Sequence, residues 1–204
     1  MHSEDVVMCN VLLVTCNSDA TAASLRDAAS EAIHVVKQFH QDARVRERHL
    51  FDGAIPLLDL STIEALKTCP TRRSAKQWKT AAVTDMLLYE ARSADVLVIA
   101  VPLVGGCIPR ELSHWVEHIC LAGDAMPDNR TPAERSAQNK IAIVVIDSAD
   151  PEHDRSVGSD QLVQYDKLGE QLRAIGVTES AHVRSDAHHI HLSQAARRLI
   201  ATNS

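Results

Sequence analysis

The sequence predicts a doubly wound, parallel α/β sheet of five strands, and three observations carry that prediction. Val96 to Val101 is six apolar residues with no polar interruption. A strand with one wet face would alternate, so this one is covered on both faces, as in a parallel sheet. Apolar runs then alternate with amphipathic stretches long enough to be crossover helices, giving the pattern βαβαβαβαβα. Finally, 204 residues suit one domain, 1–204, with chain enough for a full core.

The elements follow in order. Val6 to Val14 reads as a first strand, fully apolar from Val11. Ala20 to His40 is helical, because Leu25, Ala28, Ala29, Ala32, Ile33, Val36 and Phe39 recur at steps of three and four. Val45 to Phe51 is a second strand, and its mixed pattern suits a sheet edge. A loop from Gly53 to Pro70 holds a short helix at Thr62 to Lys67. Ser74 to Ser93 is a second long helix that Ser74 can cap. Asp95 to Val101 is the third strand, stopped by Pro102, which has no N–H for a ladder. Arg110 to Ala122 is helix, Pro127 to Asn139 polar loop, and Ile141 to Ile146 a fourth buried strand. Gln161 to Ile175 is helix, closed by Gly176 at a C′ position. Ser180 to Arg184 is a fifth strand and Leu192 to Ala201 a last helix.

Composition excludes several classes. A net charge of −6, with no basic run beyond Arg44, Arg46 and Arg48, argues against a nucleic-acid footprint. That trio alternates along the second strand and reads as a charged edge. No apolar stretch approaches the ~20 residues of a membrane span. The N-terminal Met-His-Ser-Glu-Asp lacks a secretory pattern, so a cytoplasmic address is expected. Five scattered cysteines suit reduced thiols better than a disulfide framework.

The turn after the third strand is the first candidate site. Gly105 and Gly106 let backbone approach a ligand closely. In open α/β sheets ligands sit beyond the carboxyl ends of the strands, where this turn lies.

Four segments carry a family resemblance: Asn10-Val-Leu-Leu-Val14, Ile55-Pro-Leu-Leu-Asp59, Ala94 to Pro102 continuing through Ile108 and Leu112 to Gly123, and Leu172-Arg-Ala-Ile-Gly-Val-Thr178. In this order and spacing the chain resembles the FMN-dependent NADH:quinone oxidoreductases, or azoreductases, of the flavodoxin-like superfamily. The resemblance implies a flavodoxin-like, three-layer αβα sheet. It also implies FMN and NADH or NADPH as cofactors, quinones and azo or nitro aromatics as substrates, and a homodimer. Family members pair through the helices beside the third and fourth strands. Here that implies the face of Leu112, Trp115, Val116, Ile119 and Cys120.

The resemblance places FMN against three loops. The first offers Asn17, Ser18, Thr21 and Ala22. The second offers Pro102, Leu103, Val104, Gly105 and Gly106, and the third Asp147 and Ser148. All three depart from the family pattern. The first loop is shorter and has lost a Ser-x-Ser run, although it still precedes a helix whose free N–H groups suit an anion. Asp19 within it reads as the helix N-cap. Tyr, Asn and Phe of the family become Val104, Gly105 and Gly106, so only backbone groups remain to meet the flavin ring. A Gly pair becomes Ala149-Asp150.

Other groups read as structural. Asp186-Ala-His-His-Ile-His191 has no standard metal spacing and suits a solvated loop. His114 and His118 share a helix face and suit a surface or dimer role. Cys107 suits a buried, inert thiol. Trp78 and Trp115 suit core and interface equally. No catalytic constellation and no metal site is expected, and flavin chemistry demands neither. The drifted loops also leave a reading from another class: a non-catalytic, dimerising or ligand-sensing protein with a decayed flavin site.

Overall fold

The computed structural model describes residues 8–16, 22–50, 55–102, 108–125, 140–147, 167–185, 197–198 and 200–201. Its strands are β1 (Asn10–Thr15), β2 (Arg44–His49), β3 (Val96–Pro102), β4 (Lys140–Asp147) and β5 (Val177–Ser185). All neighbours pair in parallel, in the order β2-β1-β3-β4-β5. This is the flavodoxin-like order that the sequence predicts.

Every residue of β3 is buried. Its side chains alternate between two cores. Leu97, Ile99 and Val101 join Leu12, Val14, Ala142 and Val144 under one helical layer. Val96, Val98 and Ala100 join Val11, Leu13, Ile141 and Ile143 under the other. Helix α1 (Ala22–Phe39) covers the second core with Leu25, Ala28, Ala29, Ala32 and Val36. Helices α2 (Leu60–Lys67), α3 (Ala75–Ser93) and α4 (Arg110–Ala125) cover the first, as do helical residues 167–173 through Leu168 and Leu172.

Local chemistry explains the boundaries. Ser74 caps α3 as expected, within a reciprocal box: Gln77 N–H donates to Ser74 Oγ at 3.3 Å, and Ser74 N–H to Gln77 Oε1 at 2.9 Å. Gly176 takes φ 94°, the left-handed conformation expected after the helix at 167–173. β5 starts at Val177, three residues before the Ser180 expected. Lys140 pairs with Val177 and Ile141 with Glu179, so Thr178 is the extra residue of a bulge. The expected Asp19 cap lies outside the described residues.

β2 is an edge strand, as its pattern predicts. Arg44 and Arg46 are exposed, whereas Arg48 Nε donates to Glu90 Oε2 at 2.9 Å and its Nη2 pairs with Glu90 Oε1. That contact fastens the sheet edge to α3. Lys140 is buried at the start of β4, and its Nζ donates to the carbonyls of Ala91 and Arg92 at 2.6 and 2.9 Å. An ammonium thus meets the negative end of the α3 dipole.

Two expectations are overturned. The α4 face expected to form a dimer is core: Leu112, Trp115 and Ile119 have no exposure and Val116 has 2 %. A helix following the central strand must cover that strand, so its apolar stripe is already used. Exposed large apolar side chains among the described residues lie instead on α3 (Trp78, Met86, Tyr89), at the start of α2 (Leu57, Leu60), at the end of α1 (Phe39) and at Met8. His118 is not a surface residue either. It is 1 % exposed; its Nε2 donates to the Pro56 carbonyl at 2.8 Å, so Nδ1 accepts from the Thr84 hydroxyl at 2.8 Å. This neutral imidazole joins α3, α4 and the 55–59 segment. Among the described residues no helix is long and apolar enough to cross a membrane.

Burial holds the His118 pKa below its ordinary 6.5, against smaller opposing effects of the Pro56 hydrogen bond and Glu117. The unfolded chain therefore takes up this proton first as pH falls. The His118 contribution is complete above about pH 6.5 and is lost as pH falls toward the folded-state pKa. Denaturant unfolding of His118→Gln should show a shallower loss of stability across that range than the parent. Lys140→Met should lower stability by about 2 kcal/mol, because two helix-end carbonyls lose a charged donor. Thermal melts should report a fall of roughly 4–8 °C for a chain of this size.

Candidate functional site

The site follows from the direction in which the chain leaves the sheet. After β1 it passes to α1, on one face. After β3 it passes to α4, on the opposite face. The two connections part between β1 and β3, which are neighbours, and at such a point open α/β sheets bind ligands in a crevice beyond the carboxyl ends of the strands. The β1–β3 ladder runs to that end, where Cys16 N–H donates to the Ala100 carbonyl at 3.3 Å.

The structure brings part of the expected residue set to this crevice. Ala22 is the first residue of α1. Pro102 is buried as the last residue of β3, and Asp147 is its register partner at the end of β4. Asn17, Ser18, Thr21, Leu103, Val104, Gly105, Gly106 and Ser148 lie outside the described residues, as do Cys107 and 186–191. The chain joins Cys16 to α1 through residues 17–21, and Pro102 to α4 through 103–107. Both connecting segments therefore start from the crevice.

The described framework fits a phosphate-bearing flavin. The first turn of α1, an 18-residue helix, holds no acidic residue. Its free N–H groups and the positive end of its dipole favour an anion there. β1 and β3 end side by side, at Thr15 and Pro102.

Three features escaped the sequence reading. The Thr15 hydroxyl lies 2.7 Å from His49 Nδ1, and His49 Nε2 lies 3.4 Å from Glu47 Oε2. Glu47 and His49 are two apart on one strand and Thr15 is the register partner of His49, so the sheet alone assembles this chain. Only the alternation of β2 could have signalled it. The second feature is Cys16, whose thiol is pushed up to about 12 by burial first and the Glu111 charge second. Cys9 is pushed up to about 11 by burial, with Asp95 adding to it. Both thiols stay protonated at neutral pH and are poor nucleophiles. The third is Glu111 itself, in the first turn of α4.

Beside the first two turns of α4 a cleft of 390 Å³ separates that helix from helical residues 167–173. Ile108, Leu112, Val116 and Leu168 line it, with Glu117 and Lys167 among its polar lining residues. Among the described residues no group of three or more His, Cys, Asp or Glu side chains is arranged to hold a metal.

Comparison with known proteins agrees with this geometry. A family model described as flavodoxin-like fold matches residues 9–202. An FMN-dependent NADH:quinone oxidoreductase of Cereibacter sphaeroides is 28% identical over 179 residues, covering 88% of this chain and 89% of that protein. FMN-dependent NADH:quinone oxidoreductase 1 of a Jannaschia species is 33% identical over 133 residues, covering 65% and 68%. The solved structure of an FMN-dependent NADH-azoreductase from Bacillus anthracis in complex with FMN has a TM-score of 0.62 at 14% identity. That match covers 96% of this chain and 95% of that one. At that identity the likeness is one of fold. With the family model spanning nearly its whole length, the chain belongs to the flavodoxin-like family, within its group of FMN-dependent NADH:quinone oxidoreductases.

Proposed function

We propose that this chain is an FMN-dependent oxidoreductase. It passes reducing equivalents from NADH or NADPH to quinones and to azo or nitro aromatic compounds. The observation that carries the reading is the β2-β1-β3-β4-β5 sheet order, with its switch point between β1 and β3, in a chain 28% identical to an FMN-dependent relative over 88% of its length. When bound, FMN supplies the hydride chemistry. The protein's part is to bind, orient and shield. The N-terminus of α1, with Asn17, Ser18 and Thr21 ahead of Ala22, holds the phosphate. The segment from Pro102 through Leu103, Val104, Gly105 and Gly106 would meet the ring with backbone groups, and Asp147 and Ser148 would stand at the third loop. No acid–base side chain is required for hydride transfer, so none is assigned. Residues 1–204 act as one domain, and free thiols at Cys9, Cys16, Cys69 and Cys120 suit a reducing, cytoplasmic compartment.

The altered loops imply weak cofactor binding. A lost charge-assisted hydrogen bond is worth roughly 1.5–3 kcal/mol. A lost aromatic contact is worth about 0.5–1.5 kcal/mol beyond its area. Together they weaken binding by roughly 30- to 2,000-fold. The purified protein should hold less than one FMN per subunit after dialysis, and its NADH-dependent quinone reduction should rise when free FMN is added. Absorption spectra and steady-state assays check this; a nanomolar dissociation constant would contradict it. Bound FMN without turnover on any of these acceptors would favour the ligand-sensing alternative.

The homodimer forms, on this reading, through α3 rather than α4. Trp78, Met86 and Tyr89 recur at helical spacing on α3 and stay 48 %, 42 % and 68 % exposed. Arg73 lies over the Trp78 ring at 5.3 Å to its centroid, steadying it at the surface. Sedimentation should give a dimer for the parent and a monomer for Tyr89→Glu with unchanged circular dichroism. A parent that stays near 22.3 kDa at micromolar concentration would count against the dimer.

A further inference from the structure

A cleft of 250 Å³ lies at the amino end of the sheet, opposite the end where β1 and β3 meet the cofactor segments. The starts of β1 and β2 and the end of α3 bound it, and Asn10, Leu12, Arg44, Arg46, Glu90 and Ser93 are among its lining residues. Arg44, Arg46 and Arg48 alternate along β2, so their side chains share one face of the strand. Leu12 and Val14 are the register partners of Arg46 and Arg48 and belong to the core beneath α3, so α3 is the helix that this face meets. Arg48 is held there by Glu90. Arg44 and Arg46 are exposed, and among the described residues neither guanidinium has a hydrogen-bonded or ionic partner.

The negative groups that could answer these two cations are already engaged. Both Glu90 carboxylate oxygens accept from Arg48. The end of α3 is the negative end of its dipole. Lys140 Nζ covers its Ala91 and Arg92 carbonyls, and the Ser93 hydroxyl donates to the Glu90 carbonyl at 3.2 Å. Asp95, which follows the lining residue Ala94, turns its Oδ2 to Asn10 and accepts the backbone N–H at 2.8 Å and the side-chain amide at 3.4 Å. A concave surface with two uncompensated guanidiniums remains. Side chains two apart on a strand start roughly 7 Å from each other, so both forks can converge on one tetrahedral anion. We propose that this cleft is an anion-binding site, separate from the cofactor site, which takes the dianionic phosphate group of a small phosphomonoester through Arg44 and Arg46. Its volume falls just below the range of about 300–1,000 Å³ typical of drug-sized ligands, which suits a small ester.

Phosphorus NMR titrations of the full-length protein at fixed ionic strength test it, with glycerol 3-phosphate and inorganic phosphate as probes. Glycerol 3-phosphate should show saturable line broadening with a dissociation constant on the order of 1 mM, at least as tight as inorganic phosphate. Saturating FMN should leave that binding unchanged. Arg44→Gln and Arg46→Gln should each weaken it by about tenfold or more, with circular dichroism like that of the parent. Lys37→Gln removes an equal charge from an exposed position on α1, on the other face of the sheet, and should leave it unchanged. Binding displaced by FMN and indifferent to both arginine variants would place the anion at the cofactor site and overturn the proposal. An equal loss in Lys37→Gln would reduce the effect to the general field of the surface and overturn it too. Saturable binding of inorganic phosphate with exclusion of the ester, or no saturable binding of either probe, would also overturn it.

Discussion

The structure depends on the burial of β3 on both faces. A strand with seven consecutive buried residues needs a helical layer above and below it, and a neighbour along each edge. β1 and β4 supply the edges. The two layers come from α1 on one face, and α3 and α4 on the other. Each further feature answers to that demand. α4 spends its apolar stripe on the sheet, while Trp78, Met86 and Tyr89 of α3 stay exposed. Polar ties then attach the layers at defined points: Arg48 to Glu90 at the edge, Lys140 to the end of α3, and His118 between α3, α4 and the Pro56 carbonyl.

The same demand creates the site. Covering both faces of one sheet requires the chain to leave neighbouring strands in opposite directions. Where those directions part, between β1 and β3, no helix can close the end of the sheet. The crevice is thus a by-product of a solved packing problem. Its chemistry is supplied by what the chain places at the strand ends: a helix start free of acids, a buried proline, and two segments with small residues.

Electrostatics give this crevice its own character. The first turn of α1 holds no acidic residue and its free N–H groups suit an anion, whereas the first turn of α4 carries Glu111. The nearby thiol of Cys16 is pushed up by burial and by that carboxylate and stays protonated.

The sequence by itself determined the fold class, the element order and the strand sequence of the sheet. These properties rest on local periodicity: the uninterrupted run at Val96 to Val101, the three-and-four spacing of α1, and the Ser74 and Gly176 boundaries are each written in a few adjacent residues. Only the tertiary structure decided which apolar face was already in use, as with Trp115 and Ile119, since a stripe of one helix does not name its partner. It likewise decided that His118 is buried and neutral and that Thr15 meets His49. Each of these joins residues more than thirty positions apart, and such meetings are set by packing and strand register, which no local pattern encodes.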